Sequence, residues 1–438
     1  MANSHTQASA TWHLKRGSEK KFRLGHPWVF SSELAYSPKG VLPGQLVELR
    51  DYADGFLAIG YGHPNSLISF RTLSFQKNVS IDADFFAQKF TLASRARSLS
   101  GVGQESHRLS FAEGDFLPGL IIDRFFTATP EGGQVFVVQT PTAGMDRLLG
   151  EILSGIEKFN AQEGRVSWQK TAIVVANDSK SRLMEGLTAD PKRLEKSFDG
   201  FQPEAARVLI QPSRLGLAPL VFDVDFIGGQ KTGFFLDQRS NIELAARSAR
   251  GLILDAKNKG RSVKILDLFC YVGQWGAQLA HLARAEGVKA EVTIVDASMK
   301  ALELAKANVE RHGGIATIEK RDVLEDIKTF ENGGFDIVIC DPPAFVKKKK
   351  DLPTGTQAYF KLNREALRKT MPGGLFVSCS CSGLFGEAEF REMLSRVAVA
   401  NDRRVRWVAR GSHSADHPQR PEFPQGTYLK SWMGIVDS

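Results

Sequence analysis

The C-terminal half of the chain, from about residue 221, carries continuous hydrophobic runs separated by helix-length segments. Such runs are typical of parallel strands that are buried on both faces of a sheet. The pattern therefore predicts an α/β, Rossmann-like domain with seven strands in one doubly wound sheet. The strands are expected at residues 263–269, 290–296, 316–319, 335–341, 374–380, 405–409 and 428–433.

The N-terminal half has a different pattern. Short apolar runs at 28–30, 44–49, 56–61 and 67–70 alternate with turn residues, which predicts a small β-barrel over residues 11–77. Helical spacing at 83–95 and 145–158, with strand-like runs at 119–125, 134–140 and 172–176, predicts an α+β domain over 78–220. The sheet domain then occupies 221–438, and three domains suit a chain of 438 residues.

Acidic residues and glycines follow the first predicted strands of the sheet. Asp267 lies near the end of the first strand, and Gly273 and Gly276 lie in the loop before the next helix. Ligands of open α/β sheets bind beyond the carboxyl ends of the strands, where glycines allow close approach of the backbone. Asp296 ends the next strand and is placed to bind ribose hydroxyls, and Asp322 follows the third strand and could bind an adenine amino group.

The order of these residues separates two nucleotide cofactors. A dinucleotide site needs Gly-x-Gly-x-x-Gly facing a pyrophosphate, whereas this loop has a single two-residue gap between Gly273 and Gly276. The carboxylate of Asp267 would repel a pyrophosphate but suits the ammonium of a methionine moiety. The loop therefore favours S-adenosylmethionine (SAM) over a nicotinamide dinucleotide.

The fourth predicted strand of the sheet ends in Asp341-Pro342-Pro343-Ala-Phe345. Two prolines fix an extended turn whose carbonyl groups stay outside any helix, so this turn is interpreted as a substrate-positioning element. A run of four lysines begins at Lys347 and would contact RNA phosphates, or is simply a solvated charged loop.

The four cysteines, Cys270, Cys340, Cys379 and Cys381, lack the paired spacing of a zinc site or of a disulfide framework. We predict no metal. Methylation of carbon 5 of a pyrimidine requires a thiolate that adds to carbon 6. Cys381 lies nearer than Cys379 to the carboxyl end of their strand and to the Gly383 turn, where the site is expected. Cys381 is thus the candidate nucleophile, and the other three are interpreted as small buried hydrophobic residues.

Charge and hydropathy narrow the choice of partner and compartment. Lysine and arginine number 57 against 49 acidic residues, which gives a net charge of +8 and favours a polyanionic partner. No run approaches the roughly 18 apolar residues of a membrane span, and the N-terminus lacks the apolar core of a secretory signal. We expect a cytoplasmic protein with no membrane partner.

Several longer motifs resemble one known family, the rRNA large-subunit cytosine-C5 methyltransferases, which combine an N-terminal PUA domain, a central α+β domain and a class I SAM-dependent methyltransferase domain. The resemblance covers nearly the whole chain. It is carried by residues 14–30, 113–124, 231–239, 341–345, 380–384, 415–418 and 426–430.

The resemblance implies cytosine-C5 methylation of 23S rRNA, either naked or in a ribosomal assembly intermediate. It implies Cys381 as the nucleophile. We further expect Asp341 to hold the base, to stabilise its protonated ring and to contact the cofactor. His417, in a loop before the last strand, is implied to touch the substrate, or alternatively bonds backbone. The family's cofactor segments correspond here to Phe234, Asp237, Gln238, Arg239, Phe269 and Tyr271.

Two other functions are compatible with the pattern. Methylation of a guanine nitrogen would use the same fold without a cysteine, and a non-catalytic RNA-binding assembly factor would carry a degenerate fold. The presence of Asp267, Gly273, Asp296 and Asp341 favours a catalytic protein. A homodimer is among the assemblies that the sequence leaves open.

Overall fold

The computed structural model describes residues 6–36, 40–130, 132–210 and 219–437, and the chain divides into two compact units. The first unit contains Met1–Val208, Asp225–Phe234 and Ala415–Gly426. The second contains Leu209–Val224, Phe235–Ser414 and Thr427–Ser438. In the described ranges, no helix combines the length and the apolar character needed to cross a membrane.

The first unit begins with a five-stranded sheet in the order β1-β3-β4-β5-β2. Strand β1 pairs in parallel with β3, and the other neighbours are antiparallel. The four predicted runs are confirmed as strands, whereas β1 was not predicted. The elements are β1 (Ala10–His13), α1 (Glu19–Arg23), β2 (Trp28–Phe30), β3 (Leu46–Arg50), β4 (Phe56–Gly62) and β5 (Ile68–Ser74).

A second sheet of this unit has the order β10-β9-β8-β7-β11, with β6 paired to β7. Helix α2 begins at Ala83 because the Asp82 side chain accepts a hydrogen bond from the backbone N–H of Phe85. The elements are α2 (Ala83–Leu99), β6 (His107–Phe111), β7 (Ile121–Thr127), β8 (Gln134–Gln139), α3 (Ala143–Arg147), α4 (Leu149–Glu163), β9 (Thr171–Val175), β10 (Arg193–Lys196) and β11 (Ala206–Ile210).

The second unit contains one seven-stranded sheet in the order β15-β14-β13-β16-β17-β19-β18. All seven predicted strands are confirmed, with ends that differ by a few residues. The elements are β12 (Leu220–Val224), α5 (Arg239–Asn258), β13 (Val263–Leu268), α6 (Gln274–Ala285), β14 (Ala290–Asp296), α7 (Met299–Arg311), β15 (Gly314–Lys320), α8 (Val323–Asp326), β16 (Phe335–Cys340), α9 (Leu352–Lys369), β17 (Thr370–Ser380), α10 (Glu387–Ala400), β18 (Val405–Gly411) and β19 (Lys430–Val436).

The strand order places a crevice at the centre of this sheet. Strand β13 pairs in parallel with β14 on one side and with β16 on the other. Strands β14 and β15 therefore extend the sheet to one side of β13, and the strands from β16 onward extend it to the other side. Ligands of open α/β sheets bind at such a switch point, outside the carboxyl ends of the strands. The loops after β13, β16 and β17 therefore define the candidate site, all within the second unit.

Candidate active site

Asp267 places a completely buried carboxyl group near the end of β13. Its Oδ2 accepts a hydrogen bond of 2.9 Å from the backbone N–H of Gly276, at the start of α6. Its Oδ1 is buried and, among the described residues, has no hydrogen-bond partner. Burial raises the pKa of Asp267 to about 7, against the lowering effect of the Gly276 N–H. A half-satisfied acid of this kind is suited to a cationic ligand.

The loop between β13 and α6 is held in left-handed backbone conformations. Phe269 has φ 61°, Tyr271 has φ 49° and Gly273 has φ 74°. The left-handed region costs a residue with a Cβ roughly 1–2 kcal/mol, and such conformations cluster at ligand sites. Two strained non-glycine residues in one loop thus mark this turn as a constrained part of the site.

Gly273 and Gly276 are required by packing within the protein. A Cβ on Gly273 would lie 3.0 Å from the Cα of Ala305 in α7, and one on Gly276 would lie 2.8 Å from Cγ1 of Val292 in β14. The sequence predicted these glycines only as a place for backbone to approach a ligand. The structure adds a second reason, because the start of α6 packs closely against α7 and β14.

Asp296, the last residue of β14, faces the same loop. Its Oδ2 accepts from the backbone N–H of Tyr271 at 3.1 Å and its Oδ1 accepts from that of Ser298 at 2.9 Å. Asp322 follows β15, is exposed, and accepts from the backbone N–H of Leu324 at the start of α8. The three predicted acids therefore follow or end three neighbouring strands, and Asp267 and Asp296 lie on the two sides of one loop.

Asp341 follows β16 and is held by two side chains. Both of its carboxylate oxygens lie 2.9 Å from Nε2 of Gln238, and Oδ2 also accepts from Nε1 of Trp275 at 3.0 Å. Asn241 donates in turn to Oε1 of Gln238 at 2.6 Å. Gln238 was predicted as a cofactor ligand; the structure shows it orienting Asp341, together with Trp275, which the sequence analysis missed.

The remaining predicted residues of the 235–239 segment are buried at the start of α5. Asp237 accepts a 2.6 Å hydrogen bond from the hydroxyl of Tyr428, and its carbonyl accepts from the N–H of Ser414 at 3.2 Å. Arg239 is 7% exposed. Tyr428 was not predicted as a site residue, because only the tertiary fold brings it to Asp237.

Cys381 directly follows the last residue of β17. Its Sγ lies 3.7 Å from the carbonyl oxygen of Pro342, in the turn that begins at Asp341. Cys381 is half-buried, whereas Cys270, Cys340 and Cys379 are at most 3% exposed. Burial raises the pKa of each of those three thiols. Of the four cysteines, Cys381 is therefore the accessible one.

The predicted substrate-contact residues after Asp341 are unevenly exposed. Pro342 is buried and Pro343 is exposed, and Phe345 is half-buried with its ring centroid 4.7 Å from that of Tyr359. Lys347 is exposed, as is the rest of the lysine run. Pro343 and Lys347 form the open side of the turn.

Two predicted residues belong to the first unit. Phe234 is 2% exposed. His417 is equally buried, with Nδ1 3.0 Å from Oδ1 of Asp416 and its ring centroid 4.9 Å from that of Phe111. Their contacts with cofactor and substrate stay predictions.

The residues of the crevice fit SAM. The unpartnered Oδ1 of Asp267 calls for a cation, which the methionine ammonium provides. Asp296 is oriented by two backbone N–H groups, each of which leaves its oxygen free to accept a further bond from a ribose hydroxyl. In the part of the chain that the structure describes, no group of three His, Cys, Asp or Glu residues is arranged to hold a metal ion.

Comparison with known proteins agrees with this geometry. Residues 13–75 match a family model described as a PUA-like domain, and residues 248–405 match one described as a methyltransferase small domain. A protein described as a methyltransferase, SMU.776 in complex with SAH, has a TM-score of 0.72 at 18% identity, over 97% of this chain and 100% of that one. A SAM-dependent methyltransferase structure from Streptococcus mutans gives 0.71, also at 18% identity, over 98% and 100%.

Fold and site together define a SAM-dependent methyltransferase with a PUA-like N-terminal domain. The relatives specify the family. "Ribosomal RNA large subunit methyltransferase I" of Shewanella denitrificans is 32% identical, over 97% of this chain and 98% of its own length. The protein of the same name from Erwinia tasmaniensis is 30% identical, over 96% and 97%. The chain belongs to this ribosomal RNA large subunit methyltransferase I family.

Proposed function

We propose that the protein transfers a methyl group from SAM to carbon 5 of a cytosine in large-subunit (23S) ribosomal RNA. The names of the curated relatives support ribosomal RNA as the substrate. The observation that carries the cytosine-C5 chemistry is the accessible thiol of Cys381 beside the Asp341 turn. Methylation of a nitrogen atom would not need a thiol at this place.

The reaction requires the thiolate because carbon 5 of cytosine is a poor nucleophile. The sulfur of Cys381 adds to carbon 6, which forms an S–C6 bond and moves the ring's electron pair to carbon 5. When bound, SAM supplies the methyl group as a substituent of its sulfonium. Carbon 5 bonds to this methyl group as the bond between methyl and sulfonium breaks and leaves its electron pair on sulfur. Carbon 5 then loses its proton to a base. The electron pair of that C–H bond restores the ring double bond, and the S–C6 bond breaks to release the thiolate of Cys381.

Asp341 and the prolines after it would hold the base. Gln238 and Trp275 orient the carboxylate, which leaves it able to accept further bonds from the exocyclic amino group or the protonated ring nitrogen of the cytosine. A cytosine inside a helix cannot reach such a turn, so the target must be single-stranded or flipped out.

The PUA-like barrel offers a basic docking surface for RNA. Its candidate contacts lie around α1 and the residues before it, on a surface that is largely exposed. Phosphate contacts of this kind supply affinity and position the RNA without reading its sequence. The residues are Lys15, Arg16, Lys20, Lys21 and Arg23.

The test is methylation of unmodified 23S rRNA with radiolabelled SAM, followed by digestion to nucleosides. We expect label in 5-methylcytidine with the unmodified protein and its loss with Cys381→Ala. Cys379→Ala is the matched control, since it removes a buried thiol two residues away and should keep most of the activity. Label in a methylguanosine, or full activity of Cys381→Ala, would contradict the cysteine mechanism while keeping the methyltransferase.

A further inference from the structure

A buried lysine lies beside the proposed nucleophile. Lys430 is the first residue of β19 and pairs in register with Ser380, the residue before Cys381. Its side chain is 5% exposed. The Nζ atom donates to the carbonyl oxygens of Ser382 and Phe385 at 2.6 Å each and of Tyr428 at 2.9 Å. Three acceptors engage all three N–H bonds of the ammonium.

These bonds fix the turn that follows Cys381. Two of the three carbonyls, those of Ser382 and Phe385, belong to that turn, and further contacts hold the same turn. Ser382 Oγ accepts from the backbone N–H of Val346 at 3.1 Å and lies 2.9 Å from the hydroxyl of Tyr359. The Tyr359 ring stacks on that of Phe385 at 5.1 Å. The backbone that follows Cys381 is thus fixed by several independent contacts.

Lys430 also interacts electrostatically with Cys381. Burial lowers the pKa of Lys430 to about 8, and the thiolate of Cys381, with Glu387 and Glu389, raises it in opposition. At neutral pH the side chain therefore remains mostly charged. The Cys381 thiol also interacts electrostatically with Tyr359 on α9 and with Cys379 on β17. Both are neutral at that pH, and the carboxyl group of Asp341 opens the turn that Cys381 contacts. Lys430 thus supplies a positive charge to this group.

We propose that Lys430 is a positioning residue for the methyl transfer, which both fixes the turn behind Cys381 and stabilises the thiolate form of that cysteine. This inference rests on the proposed function of Cys381 as nucleophile. A thiolate inside a protein needs a nearby positive charge to be populated near neutral pH, and Lys430 provides one whose own position is set by three hydrogen bonds.

The test is the pH dependence of Cys381 alkylation by iodoacetamide, measured without RNA and read at the Cys381 peptide. Only the thiolate reacts, so the rate follows its population. We expect Lys430→Gln to move the midpoint upward by about one pH unit, which makes alkylation about tenfold slower below the midpoint. Lys430→Arg keeps the charge and should keep the midpoint close to that of the unmodified protein.

Lys369 provides the matched control. It is 1% exposed in the same unit, and its Nζ donates to the carbonyls of Lys328 and Phe330 and to Oδ1 of Asn332. Lys369→Gln therefore removes an equally buried, equally bonded ammonium away from Cys381. An equal midpoint shift in both Gln variants, or no shift in Lys430→Gln, would overturn the inference.

A second measurement leaves Lys430 intact in case its variants do not fold. In NMR spectra of protein with ¹³Cε-labelled lysine, Cys381→Ser should move the Lys430 titration to lower pH, because the coupling between the two groups is reciprocal. An unmoved titration would overturn the inference. The rRNA assay separates the two ideas. If the alkylation midpoint of Cys381 depends on Lys430 but no 5-methylcytidine forms, only the proposed function is refuted. If 5-methylcytidine forms but the midpoint does not depend on Lys430, only this inference is refuted.

Discussion

The behaviour of Asp267 follows from its burial and its single hydrogen bond. Its folded-state pKa of about 7 lies above the ordinary value of 3.8, so the folded protein binds this proton more tightly than the unfolded chain does. The free energy of unfolding of the cofactor-free protein therefore falls as the pH rises from about 4 to about 7. Above pH 7 it stays lower by the full free-energy cost of burying the charge. A bound cation would offset that cost, which couples cofactor binding to pH.

We predict that Asp267→Asn stabilises the cofactor-free protein at pH 8 and changes its stability little at pH 4 or below. The amide carries no charge to bury, and a shift of this size corresponds to up to about 4 kcal/mol. The same variant should lose the rise in melting temperature that SAM gives the unmodified protein. Thermal unfolding at both pH values, with and without SAM, measures all of these effects.

The unmodified protein should also bind SAM more weakly as the pH falls below 7, since Asp267 then gains a proton. Titration calorimetry at pH 6 and pH 8 tests this dependence, and Asp267→Asn should not show it. Equal melting temperatures of variant and unmodified protein at pH 8, with SAM binding intact in both, would contradict this role of Asp267.

The loop from β13 to α6 combines two demands at Gly273, which are a left-handed backbone and close contact with α7. We predict that Gly273→Ala destabilises the protein by roughly 2–5 kcal/mol, from the φ of 74° and from overlap with Ala305. It should weaken SAM binding as well, because the strained loop that faces Asp296 must shift. Thermal unfolding and calorimetry measure the two effects.

Gly287, after the other end of α6, is the control for this prediction. Its φ of 76° is nearly the same, but a Cβ there would lie 3.7 Å from the nearest neighbouring atom, Nζ of Lys257, which is ordinary contact. Gly287→Ala should cost about 1–2 kcal/mol and leave SAM affinity unchanged. Equal effects of the two substitutions on SAM affinity would mean that the loop geometry at Gly273 does not shape the cofactor site.

Elements with a strong periodic signal were predictable from the sequence, and those with a weak one were not. All seven strands of the seven-stranded sheet were predicted, most of them from continuous apolar runs, whereas β12 of the same unit was not. Strand β10 (Arg193–Lys196), a short polar edge strand with mostly exposed side chains, was not predicted. One helix was predicted where the structure has two, α3 and α4. The backbone conformation changes at Leu148, but the helical spacing of the apolar residues continues across it.

The site shows the same division. Residues at strand ends, such as Asp267 and Cys381, could be located because the fold class fixes where ligands bind. The partners that orient them are distant in sequence and leave no local pattern. Gln238 lies 103 residues from Asp341, and Lys430 lies 48 residues from Ser382. Such pairs form only through the packing of the sheet, so composition and spacing cannot reveal them.

At the scale of the whole molecule, the net charge of +8 raises the question of which basic residues bind RNA. The lysine run from Lys347 to Lys350 is exposed and begins two residues after Phe345, in the turn that would hold the target base. Lysines that bind phosphates release counterions, so removing them lowers the salt dependence of binding as well as the affinity. Lysines that only carry net charge should have a much smaller effect.

We predict that substituting this run by four glutamines makes the plot of log binding constant against log salt concentration less steep by up to about 3. Each phosphate of single-stranded RNA that a lysine no longer neutralises accounts for about 0.7 of this change. SAM binding should be unchanged. The control replaces four exposed lysines elsewhere in the second unit by glutamine, which lowers the net charge equally but should leave the slope near that of the unmodified protein. Equal slopes for the two variants would show that general charge, and not binding beside the site, attracts the RNA. The control positions are Lys257, Lys259, Lys289 and Lys306.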